Sequence, residues 1–187
     1  DSSNTAPIGY AQESGIRHES GLIRNHYVGR SFIRPRQKLR DLTVKLKFNP
    51  VRGVLEDREI VLVDDSIVRG TTMKALIKLI RDAGAKKVHV RISSPPIRNS
   101  CYFGLDFPTR SELIATEQTA DEVAALLGAD TLAYLSLNGM LDAMDHDNDH
   151  FCTACFSGKY PLELTEIPTK EMFELLQGPA PVTVAES

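Results

Sequence analysis

The feature that most constrains the fold is a short apolar run, residues 60–63, that ends in two acidic residues and a glycine-containing turn. Such a run is typical of a strand buried on both faces in a parallel sheet. Gly84 and a second apolar strand pattern at residues 88–92 follow a predicted helix. The apolar residues of that helix recur at helical spacing, at Leu76, Leu79, Ile80 and Ala83. The sequence therefore predicts a β-α-β unit in an α/β fold, with a central parallel sheet flanked by helices.

Three further helices are predicted outside this unit. The first covers about residues 4–14, with a Ser or Asn side chain as its cap and Gly15 as its end. A second, capped helix covers residues 119–127 and is followed by Gly128, and a shorter one covers residues 137–144.

Residues 24–48 are predicted to form a long basic loop. The segment is rich in Arg and Lys, carries Gly29 and Pro35, and shows no sustained apolar period. Composition leaves two interpretations open. The segment is either a solvated charged linker or a functional lid, because long loops in compact domains tend to be functional.

Length and charge narrow the class of protein. The 187 residues suffice for about one well-filled domain. A net charge of -3 gives no electrostatic reason to expect a nucleic acid or a membrane surface as partner. No run of about 18 apolar residues is present, and residues 1–4 do not resemble a signal peptide, so a cytoplasmic protein is expected. Because the chain does not begin with Met, we also expect a fragment or a processed product, which leaves organelle targeting open.

The turn after the first predicted strand has the chemistry of a phosphate site. Gly70 lets the backbone approach a ligand, and the hydroxyls of Thr71 and Thr72 can join the helix-start amides in binding phosphate oxygens. Asp64 and Asp65 would repel a phosphate unless they held Mg²⁺ or accepted hydrogen bonds from sugar hydroxyls. The pattern favours a sugar phosphate. The alternative is that the two carboxylates merely cap the strand and turn, and the lack of a Walker-type Gly and Lys spacing argues against an ATPase.

This turn resembles a known fingerprint. Val-Asp-Asp-Ser-Ile-Val-Arg-Gly-Thr-Thr at residues 63–72 is similar to the fingerprint of type I phosphoribosyltransferases, in the version of the amidophosphoribosyltransferase family. The similarity extends to further segments, at residues 1–3, 21–23, 25–33, 93–96 and 111–115. It covers most of residues 1–165, which we take as the transferase domain, with residues 166–187 as a carboxyl-terminal tail.

The resemblance implies a type I phosphoribosyltransferase fold. It also implies an enzyme that catalyses the first step of de novo purine biosynthesis. In that step ammonia attacks C1 of phosphoribosyl pyrophosphate (PRPP), displaces pyrophosphate and gives 5-phosphoribosylamine. The ammonia comes from glutamine through a separate glutaminase domain, and nothing in this sequence matches that domain. Further expected ligands are purine nucleotide inhibitors, and a homo-oligomer is the expected assembly.

The resemblance also assigns site residues. It places magnesium on Ser2, Asp64 and Asp65. It makes the basic segment the family's flexible loop, in which Arg30 and Lys47 are the candidates for contacts with the reacting groups. It places PRPP on the fingerprint turn, at Asp64, Asp65, Ser66, Ile67, Val68, Arg69, Gly70, Thr71 and Thr72.

The cysteines form a second candidate site. Cys152 and Cys155 have a spacing that suits a metal or redox site better than a secreted disulfide framework. Spacing leaves open a zinc site with His146 and His150, a redox pair, or two unrelated buried thiols. The stretch around the pair resembles the end of iron–sulfur amidophosphoribosyltransferases. That resemblance implies that Cys101, Cys152 and Cys155 are three of the four ligands of a 4Fe-4S cluster, the fourth lying upstream of this sequence.

Two other functions are compatible with a PRPP turn. One is a phosphoribosyltransferase that acts on a free base, which the resemblance outside the fingerprint disfavours. The other is a PRPP- or nucleotide-sensing regulatory domain without turnover, which the complete acidic pair and the basic loop disfavour.

Overall fold

The computed structural model describes residues 4–25, 44, 46–105, 108–144 and 148–162. No helix in this part of the chain is long and apolar enough to cross a membrane. Two short 3-10 turns, Arg110–Glu112 and Asn148–His150, lie in the connections. In chain order, the helices and strands are α1 (Thr5–Ser14), β1 (Leu22–Arg24), β2 (Phe48–Pro50), α2 (Arg52–Leu55), β3 (Glu59–Asp64), α3 (Thr71–Asp82), β4 (Lys87–Ile92), α4 (Ala120–Leu127), β5 (Thr131–Tyr134), α5 (Leu137–Asp142) and α6 (Ala154–Ser157).

The predicted α/β fold with a parallel sheet is confirmed. Strands β3, β4 and β5 lie side by side in that order, and both pairings are parallel. Helix α3 connects β3 to β4 and α4 connects β4 to β5, so the predicted β-α-β unit is repeated once. The most deeply buried side chains come from these two helices and the central strand, at Ile77, Ile80, Val88, Val90 and Val123.

Strand β3 is less buried than the sequence predicted. Most of its residues are half-buried rather than buried on both faces. The reason is its position, because β3 forms an edge of the described sheet and pairs there with β4. The central strand β4 instead alternates between buried and less buried residues. The prediction that β3 is buried on both faces is therefore wrong.

The helix ends follow the sequence signals closely. Gly15, at the end of α1, adopts a left-handed conformation with φ of 70°, although Asn4 makes no capping hydrogen bond with its side chain. Helix α4 begins with a reciprocal capping box, in which Glu122 accepts from the amide of Thr119 at 2.8 Å and Thr119 Oγ1 accepts from the amide of Glu122 at 3.3 Å. The predicted helix at residues 137–144 is present as the shorter α5.

The ends of the predicted basic loop belong to a small antiparallel sheet. Strand β1 pairs with β2 so that Arg24 lies opposite Phe48, and the amide of Asn25 donates to the carbonyl of Lys47 at 2.7 Å. The interpretation of all residues 24–48 as loop is therefore wrong at its two ends. Between them, residues 26–43 and 45 lie outside the described part of the chain.

Candidate functional site

The predicted PRPP turn lies between the carboxyl end of β3 and the start of α3. Strand β3 ends at Asp64 and α3 begins at Thr71. The carbonyl of Asp64 accepts from both the amide and the hydroxyl of Ser93, at 3.0 and 3.3 Å, which joins the turn to the segment after β4. Ligands of open α/β folds collect at the carboxyl ends of parallel strands. The turn therefore occupies the edge of the sheet where a ligand is expected.

The turn begins with two half-buried carboxylates, those of Asp64 and Asp65. Asp64 Oδ1 accepts from the amide of Asp65 at 3.0 Å, and Asp65 Oδ1 accepts from the hydroxyl of Ser66 at 3.1 Å. The first bond orients the side chain of Asp64 relative to the backbone, and the second orients the side chain of Asp65 relative to that of Ser66. A carboxylate has about four acceptor positions, so the same groups can also receive a metal ion or sugar hydroxyls.

Gly70 is required at the end of the turn for two local reasons. Its φ is 74°, a left-handed conformation that costs other residues free energy. A Cβ atom there would lie 2.6 Å from Ile114 Cδ1 and 2.9 Å from Leu127 Cδ2, which is closer than van der Waals contact allows. From the sequence alone, this glycine is explained by the approach of a ligand. The structure adds a reason on the protein side, since the backbone here packs against apolar side chains.

Arg69 is paired with a residue that the sequence analysis did not assign to the site. Its Nε donates to Glu112 Oε1 at 3.0 Å, across 43 positions of sequence. That hydrogen bond is the main cause that holds the pKa of Glu112 below its usual range. Glu112 lies in one of the segments that resemble the family, but nothing in its spacing connects it to the turn.

The other predicted site residues have different surroundings. Ile67 is buried, with 3% of its surface exposed, so its side chain belongs to the core. The ammonium of Lys47 lies 5.7 Å from the ring centroid of Phe48, beside the small antiparallel sheet. Ser2 and Arg30 lie outside the described residues.

The cysteine site is built around the backbone of Cys155. Its carbonyl accepts from the amides of Arg98 and Asn99, both at 3.0 Å, which attaches α6 to the segment that leads to Cys101. Burial is the main cause that raises the pKa of the Cys155 thiol, and the neighbouring thiols of Cys101 and Cys152 raise it further. The thiols of Cys101 and Cys152 therefore both lie close enough to that of Cys155 to influence it. All three are free of disulfide bonds.

Tyr160 also connects the segment around Cys101 with the segment that contains Cys155. Its hydroxyl donates to the carbonyl of Ser100 at 2.7 Å. Its ring centroid lies 5.2 Å from that of Tyr102 and 6.3 Å from that of Phe103. The residues on both sides of Cys101 in sequence thus contact one aromatic side chain that follows Cys155.

In the part of the chain that the structure describes, neither site has a complete set of metal ligands. Among the residues that the structure describes, no three His, Cys, Asp or Glu side chains converge on one point. The zinc alternative with Cys152 and Cys155 needs His146, which lies outside those residues, and His150, which is exposed. It also predicts a Cys101 remote from the pair, whereas the segment that leads to Cys101 is bonded through the amides of Arg98 and Asn99 to the carbonyl of Cys155.

Surface hollows lie beside the 3-10 turn Arg110–Glu112 and beside β2. One, of about 550 Å³, lies beside the 3-10 turn and is lined by Arg110, Ser111, Leu113, Thr116, Glu117 and Gln118. The other, of about 270 Å³, is lined by residues of β2 and the end of α3. The acidic pair lines neither of them. The prediction of a PRPP site at the turn therefore rests on the turn's chemistry and on its place in the sheet.

Comparisons with known proteins agree with this geometry. No protein-family model matches the chain. It is 52% identical over 170 residues to "Amidophosphoribosyltransferase 1, chloroplastic" of Arabidopsis thaliana, an alignment that covers 91% of this chain and 30% of the relative. It is 53% identical over 166 residues to "Amidophosphoribosyltransferase" of Archaeoglobus fulgidus, covering 88% of this chain and 36% of the relative.

A comparison with solved structures supports the same fold. The glutamine PRPP amidotransferase from B. subtilis, in complex with ADP and GMP, has a TM-score of 0.78 and 48% sequence identity. That match covers 92% of this chain and 39% of the bacterial chain. The chain therefore spans about a third of the length of the relatives that it matches.

Proposed function

This chain is homologous to the amidophosphoribosyltransferases over 91% of its length, and from that premise we propose that it is the PRPP-binding, phosphoribosyl-transferring portion of such an enzyme. Its parallel sheet and flanking helices are those of the type I phosphoribosyltransferase fold. One observation carries the proposal. The acidic pair at the end of β3 leads through Gly70 directly into the amino end of α3, inside a region of about 50% identity to these enzymes.

In the proposed reaction, the lone pair of ammonia forms a bond to C1 of PRPP while the bond from C1 to the pyrophosphate oxygen breaks. Pyrophosphate leaves with that electron pair, the amine loses a proton to solvent, and 5-phosphoribosylamine is formed. The free amides at the start of α3, with the hydroxyls of Thr71 and Thr72, would bind the 5'-phosphate. Asp64 and Asp65 would orient the ribose or its metal ion. Positioning then supplies much of the rate enhancement.

Magnesium fits the donor chemistry of the turn. Mg²⁺ is commonly bound by one or two carboxylates together with substrate phosphates, rather than by a complete protein cage. Asp64 and Asp65 supply such carboxylates at the predicted phosphate site. When bound, the ion would neutralise charge on the pyrophosphate. Ser2, the third ligand implied by the resemblance, lies outside the described residues.

We also propose that Cys101, Cys152 and Cys155 hold an iron–sulfur cluster in the full protein. Thiolates are the usual ligands of such clusters, and a 4Fe-4S cluster normally takes four. The chain has three cysteines, so the fourth ligand would come from elsewhere in the full protein. The proposed role is structural, since the transfer reaction moves no single electron, and a cluster would join α6 to the core as a metal clip does.

The wider activity is a proposal for the whole enzyme. There the ammonia would come from glutamine, purine nucleotides would act as inhibitors, and the chains would form a homo-oligomer. A nucleotide ligand is supported by the B. subtilis structure, which is a complex with ADP and GMP. Chloroplastic and bacterial relatives share this region, so its sequence suits either setting.

The direct test is an assay of pyrophosphate release from PRPP by the chain, with free ammonia, in the presence and absence of Mg²⁺. We expect release that depends on both ammonia and magnesium and that produces 5-phosphoribosylamine. PRPP binding without pyrophosphate release would favour the regulatory alternative. Release that needs a free purine or pyrimidine base instead of ammonia would favour the base-dependent transferase.

A further inference from the structure

We propose that Glu112 is a positioning residue for the PRPP turn, acting through Arg69. The inference rests on the proposed function, because it concerns the same turn. Glu112 belongs to the 3-10 turn Arg110–Glu112, far from the fingerprint in sequence. The proposed role requires no contact between Glu112 and PRPP. Its proposed effect is to hold the backbone of residues 68–70 in the conformation that binds phosphate.

The turn is held in the fold by contacts with other segments at both of its ends. At its first half, the carbonyl of Asp64 accepts from the amide and the hydroxyl of Ser93. At its second half, three contacts involve residues 112–114. They are the ion pair from Arg69 Nε to Glu112 Oε1 at 3.0 Å, the hydrogen bond from the amide of Ile114 to the carbonyl of Val68 at 2.9 Å, and the packing of Ile114 against Gly70.

Glu112 is itself held in place before it reaches Arg69. Its Oε2 accepts from both the amide and the hydroxyl of Thr109 at 3.2 Å, in a capping box. Its Oε1 is directed to Arg69. The carboxylate of Glu112 thus bonds to the residue at the start of the 3-10 turn through one oxygen and to the PRPP turn through the other. Because it is fixed by the first contact, Glu112 loses less side-chain entropy in making the second.

The solvent exposure of Arg69 and Glu112 indicates the role of their ion pair. The side chains of Arg69 and Glu112 are 38% and 46% exposed, and exposed ion pairs contribute little to overall stability. Arg69 Nε also already has a partner, so this nitrogen is not the expected phosphate ligand. The pair therefore fits a role in the local conformation of the turn better than a role in global stability or direct binding.

The test compares Glu112→Gln with a matched control, Glu122→Gln. Glu122 makes the same type of capping box with Thr119, at the start of α4. A glutamine can still accept the Thr109 bonds but removes the charge opposite Arg69. We expect the dissociation constant for PRPP with Mg²⁺ to rise about two- to fivefold in Glu112→Gln, with little change in melting temperature. In Glu122→Gln we expect unchanged PRPP affinity.

A double-mutant cycle separates positioning from direct binding. If Glu112 acts through Arg69, then Arg69→Gln and Glu112→Gln together will weaken PRPP binding no more than the stronger single variant. Additive effects would mean that the two residues act separately and would overturn the proposal. Unchanged PRPP affinity in Glu112→Gln would overturn it as well.

A second readout does not depend on PRPP. Amide hydrogen exchange at residues 68–70, measured without ligand, should be faster in Glu112→Gln than in the parent chain, and unchanged in Glu122→Gln. Equal exchange in both variants would overturn the support role even if PRPP binds. Failure of the parent chain to bind PRPP would instead count against the proposed function and leave the exchange result to decide the role of Glu112.

Discussion

The turn proposed to bind PRPP and the cysteine site are assembled in opposite ways. The turn consists of consecutive residues between β3 and α3, so its chemistry can be read along the chain. The cysteine site combines Cys101 with a pair more than 50 positions later, and backbone bonds to Cys155 together with Tyr160 hold these segments together. A site made of consecutive residues can therefore be located from the sequence alone. A site made of distant segments depends on tertiary contacts that the sequence does not show directly.

The largest expected effect concerns the packing of the turn. Gly70→Ala should lower the free energy of unfolding by roughly 2–4 kcal/mol, from a strained left-handed residue and a Cβ that overlaps Ile114 and Leu127. Gly128→Ala is the matched control, because Gly128 has φ of 79° but no atom within 4 Å of an added Cβ. It should lose only roughly 1–2 kcal/mol. Urea unfolding measures both, and equal losses would show that packing against the turn contributes nothing.

A smaller effect is expected from the aromatic contact at the cysteine site. Tyr160→Phe removes the hydrogen bond to the Ser100 carbonyl but keeps the ring beside Tyr102. One such bond is worth about 1 kcal/mol, so alkylation of Cys155 should become about fivefold faster. Tyr160→Leu, which also loses the ring contacts, should react faster still.

The control for this pair is Tyr10→Phe, on α1. It removes a tyrosine hydroxyl from a different element and should leave the alkylation rate unchanged. The rates can be followed by mass spectrometry of the alkylated peptides. If Tyr160→Leu reacted no faster than the parent chain, the distant segments would not depend on Tyr160.

The smallest expected effect is a pH dependence at the same site. Burial and the neighbouring thiols raise the pKa of Cys155, so its thiolate forms at higher pH than that of a free thiol. Because the folded-state pKa is the higher one, this contribution to stability is present at low pH. It is lost as the pH rises through the folded-state value.

The pH profile of Cys155 alkylation checks this expectation, with a small free thiol in the same buffer as reference. The midpoint for Cys155 should lie above that of the reference. A midpoint at or below that of the reference would mean that Cys155 is solvated or lies beside a positive charge, which would contradict the half-buried position of its thiol.

Sequence reasoning predicted much of the fold because the signals are local. The run before Asp64 and the capping residue Thr119 located β3 and α4 closely. Strand β5 was missed, since its four residues alternate between exposed and less exposed positions and give no long apolar run. The degree of burial of β3 was overestimated, because an apolar run does not reveal which strand lies at an edge.

The same distinction applies to the sites. The acidic pair and Gly70 could be recognised from their order in the chain, but the packing of Gly70 could not, because it involves Ile114 and Leu127. Glu112 was missed for the same reason. The spacing of the cysteine pair left several chemistries open, and Cys101 was connected to it only through the family resemblance.

The most direct measurement of the central claim is calorimetric binding of PRPP, with and without Mg²⁺, to the parent chain and to Asp64→Asn and Asp65→Asn. The parent should bind PRPP with magnesium, and each variant should bind about ten- to a hundredfold more weakly, because charged hydrogen-bonding groups are lost beside the metal and the sugar. Both variants should keep the parent's circular dichroism spectrum. Unchanged PRPP affinity in both variants would contradict the assignment of this turn as the PRPP site.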